Sequence, residues 1–81
     1  MDSTNTSDSK APVGVVGSGS FGSAVANLLA ENQQVYMLTR SAEVVESVKT
    51  AHNNRGRKMH EKVIATTDIQ LLAKQCKLIY P

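Results

Sequence analysis

The chain has no tryptophan, one cysteine, two prolines and three aromatic residues (Phe21, Tyr36 and Tyr80) among its 81 residues. Each scarcity excludes something. So few aromatics make a base-stacking surface for single-stranded nucleic acid improbable. A lone Cys76 cannot close an internal disulfide, which fits a reducing compartment and sets the expectation of a cytoplasmic protein. Nine basic against seven acidic side chains leave a formal charge of +2, too weak by itself to argue for nucleic acid or an anionic membrane. No apolar run approaches the ~20 residues that span a bilayer. The amino terminus lacks the apolar stretch of a secretory signal. Metal ligation finds no pattern either, because His52 and His60 flank a basic loop far from Cys76. The length allows one small domain, with a thin stability margin.

What is present is a regular alternation. Met1 to Lys10, with Ala11, reads as a disordered polar tail that could not pack into a core. From residue 12 to residue 81 the pattern changes. Val13 to Val16 is a β-branched apolar run that stops at a glycine-rich turn, the signature of a buried parallel strand. Ser20 to Glu31 is then periodic as a helix, with Ala24, Val25, Leu28 and Leu29 as its apolar face and Asn32 as its left-handed terminator. Val35 to Leu38 is a second strand, with Tyr36 as packing. Ser41 is the expected N-cap of a second helix whose inward face is Val44, Val45, Val48 and Ala51, with Glu43 and Glu46 near its positive end and Lys49 near its negative end. Val63 to Thr66 is a shorter strand suited to a sheet edge. Thr67-x-x-Gln70 has capping-box spacing before a short helix carrying Ile69, Leu72, Ala73 and Cys76. Leu78 to Tyr80 is a fourth strand. The order β-α-β-α-β-α-β implies one parallel sheet with helices on its faces.

Gly17-x-Gly19-x-x-Gly22 carries most of the functional information, because it follows a strand and opens a helix inside a βαβ unit. Gly17 permits the tight turn, Gly19 lets a pyrophosphate approach the backbone, and Gly22 lets the helix pack close to the strand. The free N–H groups of the helix start would face the phosphates, and Ser18 and Ser20 could donate their hydroxyls to the same oxygens. The fold class is therefore α/β, a Rossmann-like doubly wound parallel sheet of about four strands, and the expected ligand is a dinucleotide. Specificity is set about 20 residues further on, where an NAD site places Asp or Glu. Here the sequence reads Thr39-Arg40-Ser41, with no acid before Glu43. Arg40 favours a 2′-phosphate and can stack on adenine, so NADP is favoured over NAD. Arg55, Arg57, Lys58 and Lys62 could attract phosphates of the cofactor or of a phosphorylated substrate, but a solvated loop is the simpler reading. Cys76, on an apolar stripe, reads as a core thiol and not as a nucleophile.

The segment Val13 to Arg40 resembles the start of bacterial-type NAD(P)-dependent glycerol-3-phosphate dehydrogenases. The match rests on Gly17 to Ala24, which follows that family's Gly-x-Gly-Ser-aromatic-Gly-Thr-Ala turn, and on Leu38-Thr39-Arg40. Val63 to Asp68 and Lys77 to Pro81 resemble its third and fourth strands. Ser23 in place of threonine and the connection 53–62 depart from the pattern. The resemblance implies that Ser20 and Phe21 contact the cofactor phosphates and its nicotinamide side, with Arg40 at the adenosine 2′-phosphate; Gly17, Ser18, Gly19, Gly22 and Ser41 complete the expected cofactor set. It also implies reduction of dihydroxyacetone phosphate to sn-glycerol 3-phosphate, with the catalytic residues in a helical substrate domain outside these residues, so that the chain binds cofactor but does not turn over substrate alone. The rival readings are another reductase of this fold, similar to ketopantoate reductase, and a non-catalytic dinucleotide-sensing module. Four strands are about two-thirds of a full dinucleotide fold. In the order third, second, first, fourth, the last strand has an unpaired outer edge, which invites association such as a homodimer.

Overall fold

The computed structural model describes residues 11–81; the expected polar tail, apart from Ala11, lies outside the described residues. The elements are β1 (Val13–Val16), α1 (Ser20–Leu29), β2 (Val35–Leu38), α2 (Ala42–Ala51), β3 (Asn53–Asn54), β4 (Arg57–Lys58), β5 (Val63–Thr66), α3 (Ile69–Gln75) and β6 (Leu78–Tyr80). The main sheet has the order β5-β2-β1-β6, and all its neighbours are parallel, with Val13 beside Val35 and Leu78 and Val35 beside Val63. This is the doubly wound order expected from the alternation, with β5 at one edge. The strands form where they do because β-branched and apolar residues run together there, and a strand covered on a face needs no polar alternation.

Strand residues of one parity build the core. Val13, Val15, Val35, Met37, Val63 and Ala65 are buried with Ala26 of α1, Ala30 at its end, Val44 and Val48 of α2, and Met59. The opposite face is covered by α3 through Leu72, which lies against Gly14: a Cβ there would meet the Leu72 side chain at 3.0 Å. With one helix on that face, Val16, Ile64 and Ile79 stay partly exposed.

Three local expectations are corrected. Of the inward face expected for α1, Val25 and Leu29 pack partly buried against the core, but Ala24 and Leu28 face outward. Ser23 and Ala26 are its buried residues, followed by Ala30, whereas Leu28 is 69% exposed. Small residues line the contact because α1 is drawn close to the sheet at Gly22. The helix also ends without a left-handed residue: Glu31 and Asn32 donate to Leu28 and Leu29, so the last turn tightens instead. In α3 the N-cap is Asp68, not Thr67. The Asp68 carboxylate accepts from the Gln70 amide at 2.9 Å, while Thr66 Oγ1 accepts from the Asp68 amide. Leu72 and Cys76 are buried, but Ile69 is exposed. In α2 the expectation holds at Val44 and Val48, and Ala51 is exposed.

The connection between α2 and β5 is a small antiparallel hairpin, β3 against β4. Polar bonds fix it to α1. Asn54 Nδ2 donates to Ser18 O at 3.0 Å and to Ser23 Oγ at 2.8 Å. Asn27 donates through Nδ2 to Lys58 O and accepts through Oδ1 from the His60 amide. Met59, 1% exposed, plugs the core just beyond it.

Candidate functional site

β1 leaves the sheet at Gly17, whose φ of +105° is a conformation a side chain resists. The Gly17 amide donates to Leu38 O at 2.8 Å, which holds the start of the turn against the end of β2. Gly19 follows as the N-cap of α1, in an extended conformation with no side chain capping the helix. The glycines differ in what a side chain would meet. A Cβ on Gly22 would stand 2.6 Å from Gly17 O, whereas a Cβ on Gly19 would meet nothing within 4 Å. Gly22 therefore serves the packing of the helix, and Gly19 leaves open space at the positive end of the α1 dipole.

Thr39 wires this turn to the second strand. Its hydroxyl bonds with the Ser18 hydroxyl at 2.8 Å and accepts from the Ser41 amide at 3.1 Å. Ser41 Oγ then accepts from the Val44 amide at 3.2 Å. Ser41 is thus the expected N-cap of α2 and retains its O–H to donate elsewhere. Ser20 is exposed, with its hydroxyl 3.5 Å from an Arg57 guanidinium nitrogen.

Two recesses meet over the turn. One, of about 550 Å³, lies over Gly19 and Ser20 and is walled by the hairpin from Asn54 to Arg57. The other, of about 460 Å³, runs from Gly17 and Ser18 to Arg40 and Ser41. Gly17, Ser18, Gly19, Arg40 and Ser41 therefore share one cleft, and Ser18, Gly19 and Ser20 share the other. Phe21 belongs to neither. It is 79% exposed and lines an apolar trench on the other flank of α1 with Gly22, Leu29, Tyr80 and Pro81. No cluster of three metal-ligating side chains occurs among the described residues, and no helix among them is long and apolar enough to cross a membrane. Cys76 is buried, and its desolvation pushes the thiol pKa up, which suits packing and not nucleophilic attack.

Asn54 escapes a reading by pattern. It is 4% exposed, and its Oδ1 has no hydrogen-bond partner. Its orientation is fixed because Ser18 O can only accept, so Nδ2 must face it. Arg55 borders both recesses; the sequence offers its cluster with Arg57, Lys58 and Lys62 for phosphate but ranks that below a solvated loop. The turn itself is signalled by Gly56, between residues with no apolar alternation.

A parallel sheet that reverses strand order between β1 and β6, with a Gly-x-Gly-x-x-Gly turn at the carboxyl end of its first strand, places the chain among Rossmann-type dinucleotide folds. Sequence comparison narrows the class. The family described as the NAD-dependent glycerol-3-phosphate dehydrogenase N-terminus matches residues 12–80, and the chain belongs to that family. Its curated relatives include glycerol-3-phosphate dehydrogenase (NAD(P)+) of Pseudomonas aeruginosa strain PAO1, 42% identical over 74 residues, which cover 85% of this chain and 22% of the relative. The enzyme of the same name from Myxococcus xanthus strain DK1622 is 46% identical over 61 residues, covering 69% of this chain and 18% of the relative. The chain thus spans about a fifth of the length of the relatives it matches.

Proposed function

We propose that this chain supplies the front of the cofactor-binding domain of an NAD(P)-dependent glycerol-3-phosphate dehydrogenase. The pyrophosphate of the dinucleotide lies over the Gly17–Gly22 turn, against the amides at the start of α1. The adenosine ribose lies toward the end of β2, where Arg40 takes the 2′-phosphate of NADP. The observation that carries this reading is the open space over Gly19, which a Cβ would fill, in a cleft that also holds Arg40. The residues fit the group chemically: uncapped amides and a cation suit phosphate, and no carboxylate lines that cleft among the described residues. When bound, the nicotinamide supplies hydride for reduction of dihydroxyacetone phosphate to sn-glycerol 3-phosphate. Among the chain's own residues, the turn holds the diphosphate, and Thr39 fixes Ser18 and Ser41 on either side of the ribose path. Polarisation of the substrate carbonyl is assigned to residues outside this chain.

Calorimetric titration of the chain with NADPH and NADH tests the reading. The expected result is tighter binding of NADPH, by a margin that shrinks about tenfold in Arg40→Ala, as one charge-assisted bond to phosphate implies. Equal affinity for the two cofactors, unchanged in Arg40→Ala, would remove Arg40 from this role. Binding of neither would remove the site.

A further inference from the structure

Arg55 occupies an unusual backbone position for an arginine. It is the first of two residues joining Asn54 to Arg57, which are paired across the hairpin. Both loop residues have positive φ, 55° at Arg55 and 89° at Gly56, the pattern of a type I′ turn. That turn favours Asn, Asp or Gly at its first position, because a longer side chain is strained there. The turn is well held nonetheless. The Gly56 amide donates to Asn53 Oδ1 at 2.9 Å, Ser47 Oγ donates to Asn53 O at 2.7 Å, and Asn54 is clamped to Ser18 and Ser23. The scaffold thus fixes an exposed guanidinium-bearing residue where the local chemistry would have preferred another.

Its placement gives that choice a purpose. Arg55 lines the recess over Gly19 and Ser20 and also the cleft that contains Arg40 and Ser41. Arg40 lines only the second. No carboxylate lines either one among the described residues; Glu43 shares with Arg55 a third recess, beside Ser41 and Asn54. Arg57 is set differently, beside Ser20 at the helix start, and so faces the diphosphate end.

We propose that Arg55 is a second specificity-determining residue, which together with Arg40 brackets the phosphate monoester on the adenosine 2′-oxygen. This rests on the dinucleotide reading above. Two guanidinium groups reaching a dianionic monoester from the β2 end and from the hairpin supply more charge-assisted donors than one can. A ligand without that phosphate gives Arg55 nothing to hold.

The test is calorimetric titration of the chain, at fixed ionic strength, with 2′-phospho-ADP-ribose and with ADP-ribose, in the native sequence and in Arg55→Asn. Asparagine suits the left-handed turn position, so the thermal midpoint of R55N is expected to equal or exceed that of the native chain. Its affinity for 2′-phospho-ADP-ribose is expected to fall about tenfold, with ADP-ribose affinity held within twofold. The double variant Arg40→Gln, Arg55→Asn should bind the two ligands equally. Equal weakening of both ligands in R55N would overturn the proposal and assign Arg55 to the diphosphate. No change in either would overturn it as well and leave Arg55 a solvated side chain. A native chain that binds neither ligand refutes the dinucleotide reading itself, whereas one that binds both and ignores R55N refutes only this inference.

Discussion

Gly19 and Gly22 belong to one motif, yet alanine at the two positions should give opposite phenotypes. At Gly22 the new methyl would stand 2.6 Å from Gly17 O, a backbone atom, and ordinary contact begins at 3.4 Å. The helix would therefore have to retreat by about 0.8 Å, or the turn would have to open. Ala26 and Ala30 are fully buried beside it, so retreat also loosens the core contact of α1. Overpacking of this kind costs about 1–3 kcal/mol. Alanine recovers at most about 1 kcal/mol of helix propensity, and less in a first turn. The net effect is a loss of roughly 1–2 kcal/mol, a fall in thermal midpoint of roughly 4–16 °C for a domain of this size. At Gly19 the backbone has φ −73°, which any residue adopts, and the methyl meets nothing within 4 Å. Alanine caps slightly worse than glycine but restricts the unfolded chain, and the two terms offset to within about 0.5 kcal/mol. That methyl stands where a phosphate oxygen must approach the amides, so G19A should bind NADPH at least tenfold more weakly. Circular-dichroism melting and calorimetry on the two variants decide the matter. A G22A chain that melts at or above the native midpoint would refute the close-approach argument. A G19A chain with native affinity would refute the ligand role of the turn.

Ser41→Ala removes the oxygen that accepts from the Val44 amide and should cost about 1 kcal/mol in urea unfolding; no loss would mean that water caps α2 equally well. Asn54→Asp places an acceptor-only group against Ser18 O, which can only accept. The variant should lose about 2 kcal/mol at pH 7, because a buried carboxylate then faces the Ser18 carbonyl and has only the Ser23 hydroxyl, taken from Ser18 O, as a donor. Part of that loss should return on acidification, since the protonated carboxyl regains an O–H; a midpoint that ignores pH would contradict the assignment. The buried Cys76 thiol has a pKa raised above its ordinary 9.0 by desolvation. The unfolded chain therefore ionises first, and the stability held by the neutral thiol is complete below that pH and declines as pH rises toward the raised value. Melting midpoints of native chain and Cys76→Ala, compared at pH 8 and pH 10, should show the steeper decline in the native chain; parallel declines would mean the thiolate is not disfavoured.

The parts of this fold that could be read from sequence are those decided locally. β1 and β2 are four-residue apolar runs, and a strand sandwiched between layers needs little else. The sheet order followed from the alternation of strands and helices, and Ser41 announced its cap by its place before an apolar-periodic stretch. The hairpin is decided at a distance. Asn54 is buried because its amide reaches Ser18 O and Ser23 Oγ, 36 and 31 residues back in the chain, and no periodicity within 53–58 encodes those partners. The misread face of α1 has a different origin. Apolar spacing ranks residues by hydrophobicity and selects Leu28 with Leu29; Leu29 does pack partly buried against the core, but the closest contact with the sheet is settled by size. Once Gly22 brings the helix against Gly17 O, only small residues fit further along that line, and Ser23, Ala26 and Ala30 take it. Leu28 is turned outward. The same close approach that made the glycine motif legible therefore displaced the helix face that hydrophobicity selected, and Ser23, placed on that line, is free to receive Asn54 and anchor the hairpin that carries Arg55 to the cleft.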